Sequence, residues 1–135
     1  MPGVSETALG YVVDTSAVLA LLWEEPGADT IAAVLDRASI SAVNWSELVA
    51  VMAERGLPDE AIRNSLSALP VAAVVPFDGD QADLAGRLRR TTRHAGLSLG
   101  DRACLALGLA LGLPILTADR AWRDLNIGAD VRLIR

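Results

Sequence analysis

Tyr11-Val12-Val13-Asp14-Thr15-Ser16-Ala17-Val18-Leu19-Ala20-Leu21-Leu22-Trp23 is the stretch whose reading decides the fold. Three apolar residues end in an acid, two hydroxyl side chains follow, and helical spacing takes over across residues 17–23: strand, cap, helix. Outward from there the same unit recurs. Pro26-Gly27 interrupts the first helix, and residues 28–37 resume helical spacing with Ile31, Val34 and Leu35 on one face. Residues 39–43 alternate as a second strand, after which Asn44 is expected to cap a helix over 45–55, stopped by Gly56. Pro58-Asp59-Glu60 opens another helix with proline and acids in its first turn, and Leu69-Pro70 closes it before an apolar strand over 71–75. An acid at 78 or 80 caps a long helix to about residue 94, Ser98 caps another over 99–111, and residues 114–116 form a fourth strand. A short helix over 120–125 follows, and Val131, Leu133 and Ile134 finish the chain as an edge strand.

Strands separated by helices need crossover connections, so the sheet is expected to be parallel and covered on both faces: a three-layer α/β/α domain. The chain has 135 residues, 52% of them hydrophobic and 21% charged, enough to bury one core without disulfides or a structural metal. Cys104 is the single cysteine, which excludes an internal disulfide and any CxxC metal site and suits a reducing cytoplasm. No secretory signal is legible, and the apolar run 104–116 is broken by Gly108, Gly112 and Pro114 and is too short for a membrane helix, so a cytoplasmic protein is expected.

The formal net charge of −5 argues at first against a nucleic-acid partner. Distribution qualifies that. All 12 basic residues are arginine, and Arg87, Arg89, Arg90, Arg93 and Arg102 fall in one stretch beside the only histidine, His94. Such a run suits either a solvated helix face or a phosphate-contacting surface; Arg87, Arg90 and Arg102 are the expected contacts if the second holds.

In an open parallel sheet the working groups gather outside the carboxyl ends of the strands, where strand order reverses. Asp14 ends the first strand, Asp119 follows the fourth, and Glu47 and Asp101 stand in the expected first turns of helices that start from that edge. Each acid alone suits a helix cap or a dipole complement. Together they are expected to converge, and two like charges ~5 Å apart repel by roughly 3 kcal/mol at an effective dielectric of 20. A divalent cation relieves this, and an oxygen-only donor set without histidine or cysteine selects Mg²⁺ or Mn²⁺ over zinc. An ion so held activates water for phosphodiester hydrolysis. The chain has no GxxxxGK[ST] loop, and His94 has no partner motif for nucleophilic catalysis.

Val12-Val13-Asp14-Thr15-Ser16-Ala17, Asn44-Trp45-Ser46-Glu47-Leu48, Leu97-Ser98-Leu99-Gly100-Asp101 and Leu116-Thr117-Ala118-Asp119-Arg120-Ala121-Trp122, in that order, resemble the PIN-domain family, particularly its VapC-type ribonuclease toxins of VapBC toxin-antitoxin systems. The resemblance covers residues 10–135 and leaves residues 1–9 as an N-terminal extension. It implies a parallel sheet of about five strands and a Mg²⁺- or Mn²⁺-dependent endoribonuclease acting on structured cellular RNA of the tRNA or rRNA class. Position by position it implies Asp14, Glu47, Asp101 and Asp119 as the catalytic, metal-holding quartet. Asp14 and Asp101 would be direct ligands, and Glu47 and Asp119 would hold waters or a second ion. Thr15, Ser16 and Thr117 would orient those carboxylates. It also implies a homodimer and a VapB-like antitoxin lying across the site, for which Leu19, Leu22, Trp23 and Trp45 supply apolar surface beyond what solvated RNA requires; the same residues suit a core.

The alternative is a non-catalytic PIN-like domain whose acidic pocket only binds metal or a partner. A receiver domain would need a lysine, and this chain has none; a haloacid-dehalogenase-like phosphatase would need a second acid two residues after Asp14, where Ser16 stands.

Overall fold

The computed structural model describes residues 10–135; the extension expected over 1–9 lies outside the described residues. In chain order the elements are β1 (Tyr11–Val13), α1 (Thr15–Leu22), α2 (Ala28–Val34), β2 (Ala38–Ser41), α3 (Ala42–Glu54), α4 (Asp59–Ser67), β3 (Ala73–Val75), α5 (Gly79–Thr91), α6 (Leu99–Leu111), β4 (Ile115–Thr117) and β5 (Val131–Leu133). The five strands form one parallel sheet in the order β3-β2-β1-β4-β5. The chain lays down β1, β2 and β3 to one side and then returns to place β4 and β5 on the other, so order reverses between β1 and β4. That boundary is where a parallel α/β sheet opens a crevice.

Side chains alternate across a strand, and the two faces bury separate cores. Val13, Ala38, Ile40 and Leu116 face one way and pack with Ala17, Val18, Ile31, Leu48, Met52, Ile62 and Leu66 of α1 to α4. Val12 and Ile115 face the other way and pack with Ala85 and Leu88 of α5, residues 104–107 of α6, and Trp122. Burial on both faces explains why the strands read as apolar runs. Cys104 is fully buried as a small apolar side chain. Gly108 lets α6 approach β4, because a Cβ there would overlap the Ile115 side chain. No helix among the described residues is long and apolar enough to cross a membrane.

Several boundaries differ from the sequence expectation, and one of them matters for the site. The second strand stops at Ser41, whose Oγ accepts from the Val43 amide at 3.2 Å and caps α3. Asn44 is therefore not the cap but a buried first-turn residue, and Glu47 sits in the second turn rather than the first. Ser41 takes the cap, and the Asn44 amide nitrogen donates within the site instead, as described below. Elsewhere the helix expected over 28–37 tightens into a 3-10 turn at Leu35–Arg37, and the strand expected over 71–75 is shorter, at Ala73–Val75. The long helix expected to about residue 94 ends at Thr91 before a 3-10 turn at Arg93–Ala95, and the helix expected over 120–125 is a single 3-10 turn at Arg120–Trp122.

Candidate active site

Asp14 directly follows β1 at the point of strand-order reversal and is only 4% exposed. Its Oδ1 accepts from the Ala17 amide at 2.8 Å, which caps α1, so the helix-cap reading holds as one part of its role. The same carboxylate also accepts from Ser16 Oγ at 2.8 and 2.9 Å and, from across the reversal, from Thr117 Oγ1 at 2.6 Å. The direction of these protons is determined by their neighbours. The amide of Ala118 donates to Ser16 Oγ at 2.9 Å, and the amide of Asp119 donates to Thr117 Oγ1 at 3.0 Å. An amide only donates, so each hydroxyl accepts there and has its own proton to give to Asp14.

The other three acids share a pattern: the protein holds one carboxylate oxygen and leaves the second. Glu47 Oε1 accepts from Thr15 Oγ1 at 2.7 Å and from Asn44 Nδ2 at 2.9 Å. Asp101 Oδ2 accepts from the Ser98 amide at 3.0 Å, while Ser98 Oγ accepts from the Asp101 amide at 3.2 Å, the reciprocal capping box of α6. Asp119 Oδ1 accepts from the Ala121 amide at 2.9 Å and caps the 3-10 turn. Glu47 Oε2, Asp101 Oδ1 and Asp119 Oδ2 have no donor among the described residues.

The electrostatics couple the four. Burial raises Asp14 from the usual 3.8 to about 6, against the lowering effect of Thr117, Ala17 and Ser16, and the charge of Asp101 adds to the rise. Asp101 is raised as well, by burial first, with the carboxylates of Asp119 and Glu47 contributing. The thiol of Cys104, one turn along α6 from Asp101, is pushed well up by burial and then by Asp14, Asp101 and Glu47, so it stays protonated and inert. Among the described residues the ion pairs are Arg87–Asp83, Arg132–Asp130 and Arg135–Glu25, and none of them involves these four acids.

Asn44 is the residue that sequence reasoning missed. Besides holding Glu47, its Nδ2 donates to the Gly100 carbonyl at 3.0 Å, tying α3 to the first turn of α6. Gly100 is required for that approach, since a Cβ there would overlap the Glu47 carboxylate. The signal was present as the i, i+3 spacing of Asn44 and Glu47, which puts both on one helix face once the helix starts at Ala42.

The remaining expectations divide. Arg87 is engaged by Asp83 at 2.7 Å on the outer face of α5, and Arg90 is exposed. Arg102 is not a surface residue. It is 9% exposed, held against α5 with NH1 donating to the Ala85 carbonyl at 2.9 Å, because the same face of α6 that carries it also carries the core. Leu19 and Leu22 pack partly buried against the core under α1, and the Arg55 guanidinium lies 3.7 Å above the centroid of the Trp23 ring. Trp45 lines an apolar groove of about 410 Å³ with Val49, Ile62 and Leu66, edged by Asp59 and Arg63.

A PIN domain family model matches residues 11–127, which spans both the acids and the reversal point between β1 and β4. The chain belongs to the PIN-domain family. Among its PIN-domain relatives, a protein of Mycolicibacterium smegmatis named Ribonuclease VapC is 35% identical over 126 residues, 87% of this chain and 98% of that one. Ribonuclease VapC42 of Mycobacterium tuberculosis is 34% identical over 115 residues, 78% of this chain and 87% of that one. The fold matches a chain in the DNA-bound VapBC structure from Salmonella typhimurium with a TM-score of 0.73 at 18% identity, covering 94% of this chain and 99% of the other. It also matches VapBC-5 from Mycobacterium tuberculosis with a TM-score of 0.61 at 27% identity, covering 95% and 98%.

Proposed function

We propose that this PIN domain is a divalent-metal-dependent endoribonuclease, the toxin half of a type II toxin-antitoxin pair, acting on structured RNA of the tRNA or rRNA class. The observation that carries the reading is the arrangement of Asp14, Glu47, Asp101 and Asp119. All four lie at the carboxyl edge of the sheet, coupled in charge, one of them buried, and without an arginine paired to them among the described residues. The relatives named ribonucleases VapC, and neighbours described as VapBC toxin-antitoxin systems, support the class of activity and a VapB-like antitoxin as partner. A homodimer is part of the same proposal.

The donor set fits a hard cation. It is all oxygen, neighbouring carboxylates help to raise Asp14 and Asp101, and three of the four acids present an oxygen without a donor among the described residues. Among the described residues no three His, Cys, Asp or Glu side chains stand as one group that could hold a metal ion; Mg²⁺ and Mn²⁺ keep much of their water and need few direct protein ligands. Asp14 and Asp101 would hold the ion directly, and Glu47 and Asp119 through water. When bound, the ion supplies a water of lowered pKa and neutralises charge on the phosphodiester.

The chain's own residues then do the following. Ser16 and Thr117 hold Asp14 in one rotamer and donate to it, favouring its anion. Thr15 and Asn44 restrict Glu47 through Oε1, which leaves Oε2 to accept a proton from the attacking water. The capping box holds Asp101 from its Oδ2 side and turns Oδ1 outward.

Incubating the purified, partner-free chain with total RNA in Mg²⁺ or Mn²⁺ and mapping new RNA ends tests this. Discrete cuts that vanish in EDTA and in Asp14→Asn are expected. A folded, metal-binding chain that leaves RNA intact would favour the non-catalytic, partner-binding reading.

A further inference from the structure

We propose that the pocket where α5 ends and α6 begins is an anion site that receives a backbone phosphate of the RNA strand next to the cleavage centre. The proposal takes the strand's identity from the nuclease reading above. The pocket has a volume of about 510 Å³ and is lined by Arg89, Arg93 and Arg102 together with Thr92, Ser98 and Leu99. Liquid water occupies about 30 Å³ per molecule, so a phosphodiester group and several waters fit.

The charge in it is uncompensated. Arg102 is nine-tenths buried, none of the ion pairs among the described residues includes it, and a backbone carbonyl is its one hydrogen-bond acceptor there. Its Nε–H is buried with no acceptor among the described residues. A buried guanidinium without a counter-ion is costly unless an anion completes it. Arg89 and Arg93 are exposed at the same opening and are likewise absent from those ion pairs.

Two further features point the same way. The 13-residue α6 starts here with its positive end at the pocket; Ser98 Oγ takes the Asp101 amide, and the Leu99 and Gly100 amides have no acceptor inside the helix. Ser98 also joins the two sites, since it lines the pocket and caps the helix by exchanging hydrogen bonds with Asp101. A strand whose scissile phosphate lies at the acids therefore passes a cationic pocket on leaving them, in a chain whose net charge of −5 repels RNA elsewhere.

The test is fluorescence anisotropy of a labelled single-stranded oligoribonucleotide in EDTA, comparing the full chain with Arg89→Gln/Arg93→Gln and with Arg37→Gln/Arg63→Gln, which removes the same charge away from the pocket. These are exposed residues, so folding does not hang on buried Arg102. The pocket variant is expected to weaken binding about tenfold and to flatten the dependence of log affinity on log salt by about one unit per lost phosphate contact, with the control within about twofold of wild type. Inorganic phosphate should compete with RNA for the wild-type chain and shift the Arg102 Nε–H resonance. Equal affinity and equal salt slope in the two double variants would overturn the proposal. So would a phosphate-induced shift at Arg102 with RNA affinity unchanged in the pocket variant, which would mark a site for small anions only. Because binding is read without metal, a chain that binds RNA through the pocket and never cuts it sinks the nuclease reading and supports this one. Cleavage with an unchanged KM in the pocket variant does the reverse.

Discussion

Asp14 and Arg102 are both charged, both buried and both without a counter-ion among the described residues, yet the fold treats them differently. Asp14 is surrounded by donors: one amide and two hydroxyls whose own orientation is determined by two further amides. Arg102 has one carbonyl and an unused Nε–H. The first arrangement holds a carboxylate in one orientation, the preorganisation that the proposed cation ligand calls for, against a burial that raises its pKa. The second leaves a cation short of acceptors beside an open cavity. The difference teaches that burial of charge by itself says little; the number and rigidity of the compensating groups separate a charge held in fixed geometry from one left open to a further partner.

The largest effect expected from breaking this comparison is on the acid side. Asp14→Asn should keep the α1 cap but reduce metal-dependent RNA cleavage by about a thousandfold or more, read as initial rates on a mapped cleavage site. Activity within tenfold of wild type would remove Asp14 from the centre.

The same substitution should act oppositely on stability. The folded-state pKa of Asp14 is raised from 3.8 to about 6, so the folded chain holds that proton more tightly than the unfolded one. Its contribution is fully present below about pH 4 and is lost as pH rises through about 6. In EDTA at pH 8, Asp14→Asn should therefore be more stable than wild type by up to about 3 kcal/mol, and the gap should close toward pH 4. Urea unfolding at the two pH values checks this; a gap independent of pH would mean that desolvation of Asp14 is not its source.

A smaller effect sharpens the role of the hydroxyls. Ser16→Ala removes a donor to Asp14 and the acceptor of the Ala118 amide, and should weaken Mn²⁺ binding by about tenfold with little change in fold. Mn²⁺ titration followed by electron paramagnetic resonance measures it, and unchanged affinity would make Ser16 a packing residue.

The smallest change is expected on the cationic side. Arg102→Met removes an uncompensated buried charge and leaves the Ala85 carbonyl its place in the α5 helix, so stability of the RNA-free chain should rise, by about 1 kcal/mol. A loss of several kcal/mol would show that the guanidinium is held by more than one acceptor and is structural. A gain at both Asp14 and Arg102 would identify stability given up for function at two separate places.

Much of this was legible in the chain because the signals are local. Alternation and helical spacing are properties of neighbouring residues, and an acid or serine before a helical run announces a cap; that is why Asp14, Ser98 and Asp119 were read correctly as caps. The boundary of α3 was read wrongly for the converse reason. Ser41 and Asn44 are both good caps, and residue type does not choose between them; in the fold Asn44 is buried with Nδ2 bonded to Glu47 and to the Gly100 carbonyl, the latter from a helix 56 positions away in sequence. The arginine run shows the same limit. Its composition suggested a cationic surface, but which members share a pocket depends on how α5 turns into α6, and Arg89 and Arg93 rather than Arg87 and Arg90 line it beside Arg102.

The sequence by itself determined the three-layer class, the parallel sheet and the family, since each rests on residue type and short-range period. Tertiary structure alone decided that the hydroxyls of Ser16 and Thr117 meet on Asp14 across 101 positions of chain, that Asn44 joins two helices, and that Arg102 is buried. Those facts come from the reversal of strand order between β1 and β4 and from the packing of α6, and no local pattern encodes a contact whose partners are brought together only when the sheet closes.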